Sequence, residues 1–419
     1  MVALLGIAAL AVDVGYLYVI RGELQNAADA GALAGAQVLY INDGQQVNPG
    51  ANSTAATYVN ANFSEKMPVT VEVVQRGHWS FATRQFTVNE DTLEPVDLWR
   101  STEELDADPN FINAVRVVTT RKGFGNSDET PEEPFFSRIL GIGPRPVSAE
   151  AIAYIGFAGT LRPADVDQPI VVCANSITTT VDGGGRRYTC GVGRMAAGGE
   201  TAAWTDFIQP ANNRCSGGTN APGVAGVLGS PPACSTGNTH PIVLGRLMNL
   251  INGQLSGPGF STFWDCWWAQ SNGGTRPWQM TLPVVECNPD GTVNPCEDVV
   301  GAVTVNVIWV NDNANTNPAR WSEAPTNTPS TRPGGAPLRM EGFGEGEGRY
   351  EPWQSDLTVS GEERWRQFAE HFRLQIPPGP DGWTHKTIYF VPDCSPHEPR
   401  GTTGGENFGI LAKIPVLVR

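Results

Sequence analysis

The first 41 residues constrain the fold of this chain more than any other part of it. Residues 1–20, MVALLGIAALAVDVGYLYVI, are apolar except for Asp13, and about 20 apolar residues is roughly the shortest run that spans a membrane. The helical pattern continues through residue 41, which predicts one helix of about 60 Å at ~1.5 Å per residue. A buried core helix and a signal peptide are the alternatives, but neither a basic start nor a cleavage site favours a signal peptide.

Within this predicted helix, apolar or small residues recur at alternating spacings of three and four, as in a heptad seam. Gly31 and Gly35 form a GxxxG pair, which lets another backbone approach closely. The seam therefore marks the face that packs on another surface, either the chain's own globular head or a neighbouring copy. Its residues are Leu10, Asp13, Leu17, Ile20, Leu24, Ala27, Gly31, Ala34, Gly35, Val38 and Ile41.

Asp13 is the one charge on the seam below residue 21. A carboxylate within hydrocarbon costs about 2.5–3.5 kcal/mol on insertion scales. We therefore expect a partner for Asp13, which is either the free amino terminus of a neighbouring chain or water at a membrane surface.

Composition limits the classes of protein that this chain can belong to. A length of 419 residues predicts two or three domains, and 48 glycines and 33 prolines with only 17% charged residues favour β-rich structure with long loops. The net charge of −15 argues against nucleic acid as a partner.

The eight cysteines all follow residue 172, and none of them forms a CxxC pair. An even number without metal-ligand spacing predicts disulfides in an oxidising compartment. The local candidates are Cys287–Cys296, Cys215–Cys234 and Cys173–Cys190. The cysteine-free N-terminal third and the cysteine-bearing remainder are then separate modules.

The segment VDVGYLYVIRGELQNAADAGALAGA (12–36) resembles the N-terminal segment of the TadE/TadG-like proteins of bacterial Tad (Flp) pilus assembly. GHWSFATRQFT (77–87), NAVRVVTTR (113–121) and FFSRILGIGPRPVSAEAIAYI (135–155) extend the resemblance over about the first 157 residues. It implies an envelope-anchored protein with a large exterior portion, whose type IV pilin-like helix is a membrane anchor or a filament core. The chain departs from the pattern at Leu5, where type IV pilins carry Glu, and it lacks the DxSxS metal motif of some TadG-like proteins.

The remaining patterns predict further elements. NSTAATYVNANF predicts a short helix, and MPVTVEVVQ, HWSFATRQFTV and AVRVVTTR alternate as antiparallel strands do. The acidic stretch 89–110 is interpreted as a solvated surface excursion. HPIVLGRLMNLINGQL (240–255) is interpreted as an amphipathic helix, QMTLPVVEC and VVGAVTVNVIWV as buried strands, and KTIYFVPDC and FGILAKIPVLVR as strands that return to the same sheet. Ser360 and Glu363 form a capping box for a short helix.

Candidate sites outside the seam are few. There is no HExxH or GxSxG motif, so we expect neither an enzyme nor a cofactor. Asp312, Asn313 and Asn315 are a weak calcium candidate, with an Asn-rich turn as the alternative. A tryptophan cluster either forms an exposed surface for a sugar or protein ligand, or is core around a disulfide; its residues are Trp264, Trp267, Trp268 and Trp278.

The sequence thus predicts an α+β protein: a long N-terminal apolar helix (1–41), a small pilin-like antiparallel sheet domain (42–157), and a larger β-rich, disulfide-containing extracellular domain (170–419) with a loop-rich insertion at 311–383. The predicted function is structural, as a subunit of a cell-surface filament. Its partners are other copies or pilin-like subunits, and the bacterial inner membrane before assembly. The alternative is a membrane-anchored adhesin of a Tad pilus system that binds a surface glycan or protein.

Overall fold

The chain forms two compact units in the computed structural model. Unit 1 comprises Met1–Asp97, Glu103–Gly156 and Lys413–Arg419, and unit 2 comprises Leu98–Thr102 and Phe157–Ala412. The structure describes residues 2–94, 100–121, 136, 147–180, 186–189, 193–196, 201–215, 219–234, 237–251, 255, 257–311, 339–344, 350–374, 387–393, 395 and 397–419.

The first half of the regular elements, in chain order, comprises α1 (Val2–Gln37), β1 (Tyr40–Ile41), β2 (Gln46–Val47), α2 (Ala51–Asn60), β3 (Phe63–Ser64), β4 (Met67–Pro68), β5 (Thr70–Ser80), β6 (Gln85–Val88), α3 (Thr102–Asp106), β7 (Ala114–Arg121) and β8 (Val147–Tyr154). They are followed by β9 (Phe157–Ala158), β10 (Ile170–Cys173), β11 (Thr178–Thr180), β12 (Arg186–Tyr188), β13 (Gly193–Ala196), β14 (Ala202–Thr205), α4 (Ala221–Val227), β15 (Leu247–Ile251), α5 (Gly257–Gln270), β16 (Trp278–Val285), β17 (Cys296–Asn311), β18 (Arg339–Met340), β19 (Trp353–Gln354), α6 (Gly361–His371), β20 (Thr387–Pro392), β21 (Thr403–Gly405) and β22 (Val416–Leu417).

Unit 1 packs α1 and α2 on an antiparallel sheet with the strand order β22-β8-β7-β5-β6. Alternate residues of β7, such as Val115 and Val117, are fully buried, as expected for a strand with a helix on one face. The mixed helix-and-sheet architecture predicted from the sequence is confirmed.

The acidic stretch 89–110 is more than the solvated excursion predicted from its charge. The Asp106 carboxylate accepts hydrogen bonds from the backbone N–H groups of Phe81 (2.6 Å) and Ala82 (3.0 Å) and from the Ser80 hydroxyl (3.0 Å). It thereby closes the turn between β5 and β6, because carboxylates readily satisfy the N–H groups of a tight turn.

Unit 2 contains a closed ring of strands. β17 pairs with β15 through residues 296–298 and with β16 through residues 299–307, and β15, β14, β10 and β16 follow one another in the sheet. Val171 and Ala203 belong to one apolar cluster, and their neighbours Val172 and Trp204 belong to a second cluster that includes α5 and α6. The alternation is that of strands buried on both faces.

In unit 2, β15 differs from the predicted element, whereas the start of α6 agrees with the prediction. Residues 247–251 form β15 and not the predicted amphipathic helix, because their buried positions alternate and because they pair with β14 and β17. Half of the predicted capping box is present: the Ser360 hydroxyl accepts from the Glu363 N–H at the start of α6, while the Glu363 carboxylate accepts from Arg366 instead. Trp365 and Phe368 of α6 are buried, as is Phe372 directly after the helix.

The C-terminal segment also differs from the prediction. β20 joins β17 in unit 2 as predicted, but β22 pairs with β8 in unit 1. The chain therefore returns to its first unit after completing the second.

Three disulfides are described, and none is a predicted local pair: they are Cys173–Cys287, Cys215–Cys296 and Cys234–Cys266. The proposed pairs Cys287–Cys296, Cys215–Cys234 and Cys173–Cys190 are wrong, because sheet neighbours and not sequence neighbours meet. β10 and β16 are parallel, so Cys173 and Cys287 emerge at the same edge with their Cα atoms 5.7 Å apart. Cys190 itself lies outside the described residues.

Candidate functional site

The upper half of the predicted seam packs on the chain's own unit 1. Ile20, Leu24 and Ala27 are fully buried, and Ala34 is nearly so. A Cβ added at Gly31 would lie 2.4 Å from Cγ2 of Val59, and one at Gly35 would lie 2.9 Å from Cβ of Ala55. The GxxxG pair thus brings α1 against α2, which decides between the two surfaces that the sequence left open for this half.

Hydrogen bonds, one of them buried, hold the same part of α1 on the sheet. The Thr119 hydroxyl of β7 donates to the Leu24 carbonyl oxygen at 3.0 Å, and Nε2 of Gln25 donates to the Glu150 carbonyl oxygen of β8 at 2.9 Å. Interactions of this kind fix register as well as distance, so α1 cannot slide along unit 1 without breaking them.

The seam ends earlier than predicted. α1 ends at Gln37, and Val38 and Ile41 are only half-buried. Nδ2 of Asn48 donates to the Val38 carbonyl oxygen at 2.7 Å, and Asn42 and Asp43 adopt positive φ angles in the turn that follows. These features end the helical pattern, because Asn and Asp favour turns at such positions.

Asp13 finds a partner within its own chain. Its side chain is only 4% exposed, and its two carboxylate oxygens lie 3.1 and 2.9 Å from the backbone N–H of Phe136, which donates to them. Neither the amino terminus of a neighbour nor water at a membrane surface is needed as the expected partner.

One turn further on, α1 is tied to the β3–β4 hairpin by charged groups. The Tyr16 hydroxyl donates to Oε2 of Glu65 at 2.7 Å, and Glu65 pairs with Arg121 of β7 at 3.1 Å. Oε2 of Glu23 accepts from the Ser64 hydroxyl and from the Glu65 N–H. The charged groups of this segment are therefore directed at unit 1.

The first half of α1 has a different surface. Leu17 is half-buried, whereas Leu10, the first predicted seam residue, is exposed. Successive residues of an α-helix are rotated by 100° around its axis. By this rotation, five further exposed apolar side chains lie on both sides of the stripe formed by Asp13, Leu17 and Ile20. They are Ile7, Val12, Val14, Tyr18 and Val19, with exposed fractions from 53% for Val12 to 79% for Tyr18.

Three glycines of α1 lie on this exposed surface. A Cβ at Gly6, Gly15 or Gly22 would meet no atom within 4 Å. The sequence does not predict the exposure of these glycines and apolar residues, because the run is apolar on every face and its periodicity does not show which face is covered. We call α1 residues 6–22 the open segment. No helix within the described part of the chain is long and apolar enough to cross a membrane.

Of the two interpretations of the tryptophan cluster, the structure supports the core and not an exposed ligand surface. Trp264 and Trp267 of α5 are 1% and 0% exposed, Trp278 is buried, and Trp268 stacks on Trp264 with ring centroids 5.2 Å apart. The cluster surrounds Cys266, which bonds to Cys234, so it is the core alternative that the sequence also offered.

No metal centre is found where the structure allows a search. The calcium candidates Asp312, Asn313 and Asn315 lie outside the described residues. Among the residues that are described, no group of three or more His, Cys, Asp or Glu side chains is arranged to hold a metal ion.

Comparison with known families gives two matches, both in the N-terminal part. Residues 1–38 match a family described as putative Flp pilus-assembly TadE/G-like, and residues 34–153 match one described as putative Tad-like Flp pilus-assembly. No curated protein and no solved structure matches the chain. The resemblance seen in the sequence is therefore confirmed: residues 1–153 are similar to TadE/TadG-like proteins of Tad (Flp) pilus assembly, and this similarity indicates a role in such a pilus at the cell envelope or surface.

Proposed function

We propose that this chain is a structural subunit of a Tad-type surface filament and that it assembles through the open segment of α1. The observation that supports this proposal is the uneven covering of one helix. Unit 1 buries one face of α1 from Ile20 onwards, but leaves apolar side chains exposed on both sides of the Asp13 stripe before it. A helix that is apolar on all faces is normally buried in a larger assembly or in lipid.

The small residues of the open segment favour other helices as the covering surface. Gly15 and Gly22 lie two turns apart with open space where a Cβ would be, so a neighbouring helix can approach the backbone there. Because Gly31 and Gly35 are already covered by α2, they are not available for the same purpose. Contact between subunits is thus proposed for residues 6–22 and not for the upper seam.

The other unit suits an exterior position. Its disulfides are typical of oxidising compartments, and the structure places all six described cysteines in unit 2. In this proposal the open segment lies in the inner membrane before assembly and in the filament core afterwards, while unit 2 faces outwards.

The experiment compares Gly15→Leu with Gly226→Leu in the bacterium that makes the protein. Both glycines are exposed in helices, α1 and α4, with nothing within 4 Å of an added Cβ, so the folded chain leaves space for a side chain at each. We expect filaments sheared from cells to contain the Gly226→Leu chain at the wild-type level and the Gly15→Leu chain at least tenfold less. Cryo-electron microscopy and mass spectrometry of the sheared material provide the measurement.

Two results would contradict the proposal. Normal filaments from the Gly15→Leu chain would show that the open segment does not contact another subunit closely. If shearing releases none of the wild-type chain and it stays in the membrane fraction, the open segment is a tether, as in the adhesin alternative.

A further inference from the structure

Unit 2 interrupts a β-hairpin of unit 1. β8 is the last strand before unit 2 and β22 is the first strand after it, and the two pair antiparallel with Tyr154 opposite Val416. The Val418 N–H donates to the Ile152 carbonyl oxygen at 2.9 Å, and the Ile152 N–H donates to the Arg419 carbonyl oxygen at 2.8 Å. About 250 residues, Phe157–Ala412, therefore occupy the place of a hairpin loop.

Unit 2 holds the two ends of this loop side by side. Phe157 pairs with Leu411, and the Ala158 N–H donates to the Ile410 carbonyl oxygen at 2.9 Å. Paired antiparallel strands keep their Cα atoms about 5 Å apart. As long as unit 2 is folded, residues 413–419 begin next to the end of β8.

Residues 100–102 are a second stretch of chain that belongs to unit 2, and they contact the segment that leads to Lys413. Residues 100–102 lie between β6 and β7 in the sequence, but they belong to unit 2 and contact Asn407. The Asn407 N–H donates to the Thr102 hydroxyl at 3.0 Å, and its Nδ2 donates to the Arg100 carbonyl oxygen at 2.9 Å. Asn407 and Ser101 are both buried, so the segment that precedes Lys413 is itself held firmly within unit 2.

β22 is a two-residue edge strand with modest contacts. Val416 and Leu417 are exposed, Val418 after them is half-buried against the Trp79–Tyr154 cluster, and Arg419 pairs with Glu150 of β8 at 3.5 Å. If unit 2 unfolds, the connection becomes a flexible loop of about 250 residues. Loop-closure entropy then weakens the pairing by roughly 10²–10³-fold relative to a short loop.

We propose that β22 is a closure strand, which pairs with β8 only while unit 2 is folded. The family matches end at residue 153 and do not include β22. The sheet of unit 1 therefore gains its last strand, β22, only when the inserted unit 2 is folded. A chain whose unit 2 is unfolded presents the bare edge of β8, and such an edge invites pairing with other chains. The proposal does not depend on how the open segment is used.

Hydrogen exchange of the full-length chain with mass spectrometry, over a series of urea concentrations, tests this proposal. Peptides from 278–310 report unit 2, and peptides from 147–154 and 413–419 report closure. The series is repeated with a phosphine reductant, which with one water molecule converts each disulfide to two thiols and is itself oxidised to the phosphine oxide. It is also repeated with Trp267→Ala, which opens a cavity in the core of unit 2. Unit 1 contains no cysteine, so neither change touches it directly.

We expect both changes to lower the urea midpoint of unit 2 and the midpoint of the closure peptides together. Protection of 413–419 should fall roughly 10²–10³-fold at the concentration where 278–310 exchange. If the closure peptides keep their wild-type midpoint while that of unit 2 shifts, the proposal is overturned.

A matched pair of substitutions tests the strand itself. Val418→Ala should lower protection of 413–419 about tenfold without moving the midpoint of unit 2, because Val418, directly after β22, packs on the Trp79–Tyr154 cluster of unit 1. Val416→Ala, at an exposed position of the same strand, should change neither. Equal effects of the two substitutions would show that β22 is not held by its buried face and would count against a closure strand.

Discussion

At the scale of single residues, Asp393 shows how unit 2 accommodates a buried charge. Its carboxylate accepts hydrogen bonds from Nδ2 of Asn306 at 2.7 Å, Nε2 of Gln279 at 3.0 Å and the Ser395 N–H at 2.9 Å. Nε2 of His397 lies 3.6 Å from its Oδ2. Burial raises the pKa of the carboxyl group, but His397, Ser395 and Asn306 outweigh burial and lower the pKa to about 2.

This lowered pKa predicts a pH-dependent stability. Because the folded pKa lies below the ordinary value of 3.8, the ionised group stabilises the fold above about pH 4, and this stabilisation is lost as the pH falls towards 2. Asp393→Asn should lower the free energy of unfolding by about 2 kcal/mol at pH 7. Urea unfolding at pH 7, 4 and 2.5 should show this difference narrowing with acidity.

The control for this comparison is Asp356→Asn. Asp356 is exposed and hydrogen-bonds locally to Thr358, so its substitution should leave the unfolding of unit 2 much less affected at pH 7. An Asp393→Asn deficit that stays equally large at pH 7 and pH 2.5 would show that the carboxylate's ionisation is not its cause.

At the scale of elements, α1 is one helix with two kinds of glycine. Gly31→Ala places a Cβ 2.4 Å from Cγ2 of Val59 and 3.0 Å from the Ala55 carbonyl oxygen, so α2 must move away. We expect it to lower the free energy of unfolding of unit 1 by about 1–3 kcal/mol, as overpacking does. Gly22→Ala meets open space and should raise it by about 0.5–1 kcal/mol, because alanine favours helix.

Urea unfolding followed by hydrogen exchange of α2 measures both effects in unit 1. If the Gly31→Ala chain is as stable as the Gly22→Ala chain, the close packing of α1 on α2 is contradicted. Gly31→Leu, an obvious test of assembly from sequence alone, is uninformative for the same reason: its effect on folding would hide any effect on a neighbour.

The sequence allowed elements to be predicted wherever one periodicity dominated. β5, β7, β16 and β17 follow alternating or continuous apolar runs, and Ser360 marks the start of α6. β15 is not predicted, since Leu247, Leu250 and Ile251 fit the three- and four-residue spacing of a helix, whereas the buried positions of the strand are Met248 and Leu250. Only pairing with β14 and β17 decides between the two.

The candidate site could be predicted only in part. The seam from Ile20 to Gly35 was visible as a stripe of small and apolar residues, and the structure places it on unit 1. The open segment was not visible as a surface, because residues 6–19 are apolar in every direction apart from Asp13. Its exposure follows from where unit 1 stops covering α1, which is a property of the tertiary structure.

At the scale of the whole molecule, the order of strands determines which cysteines meet. Sequence proximity favoured local pairs, but the ring of strands in unit 2 brings together Cys173 and Cys287, which are 114 residues apart, whereas Cys234 and Cys266 are 32 residues apart. A disulfide that closes a longer loop restricts the unfolded chain more strongly. The two bonds should therefore contribute unequally to the stability of unit 2.

Paired alanine substitutions test this inequality, since each removes one disulfide and leaves no free thiol at that site. Chain entropy predicts that Cys173→Ala with Cys287→Ala lowers the free energy of unfolding by about 1 kcal/mol more than Cys234→Ala with Cys266→Ala. Tryptophan fluorescence during urea unfolding measures both, since Trp264, Trp267 and Trp309 lie in the core of unit 2. A larger loss from the shorter loop would mean that packing around Cys266 outweighs loop closure.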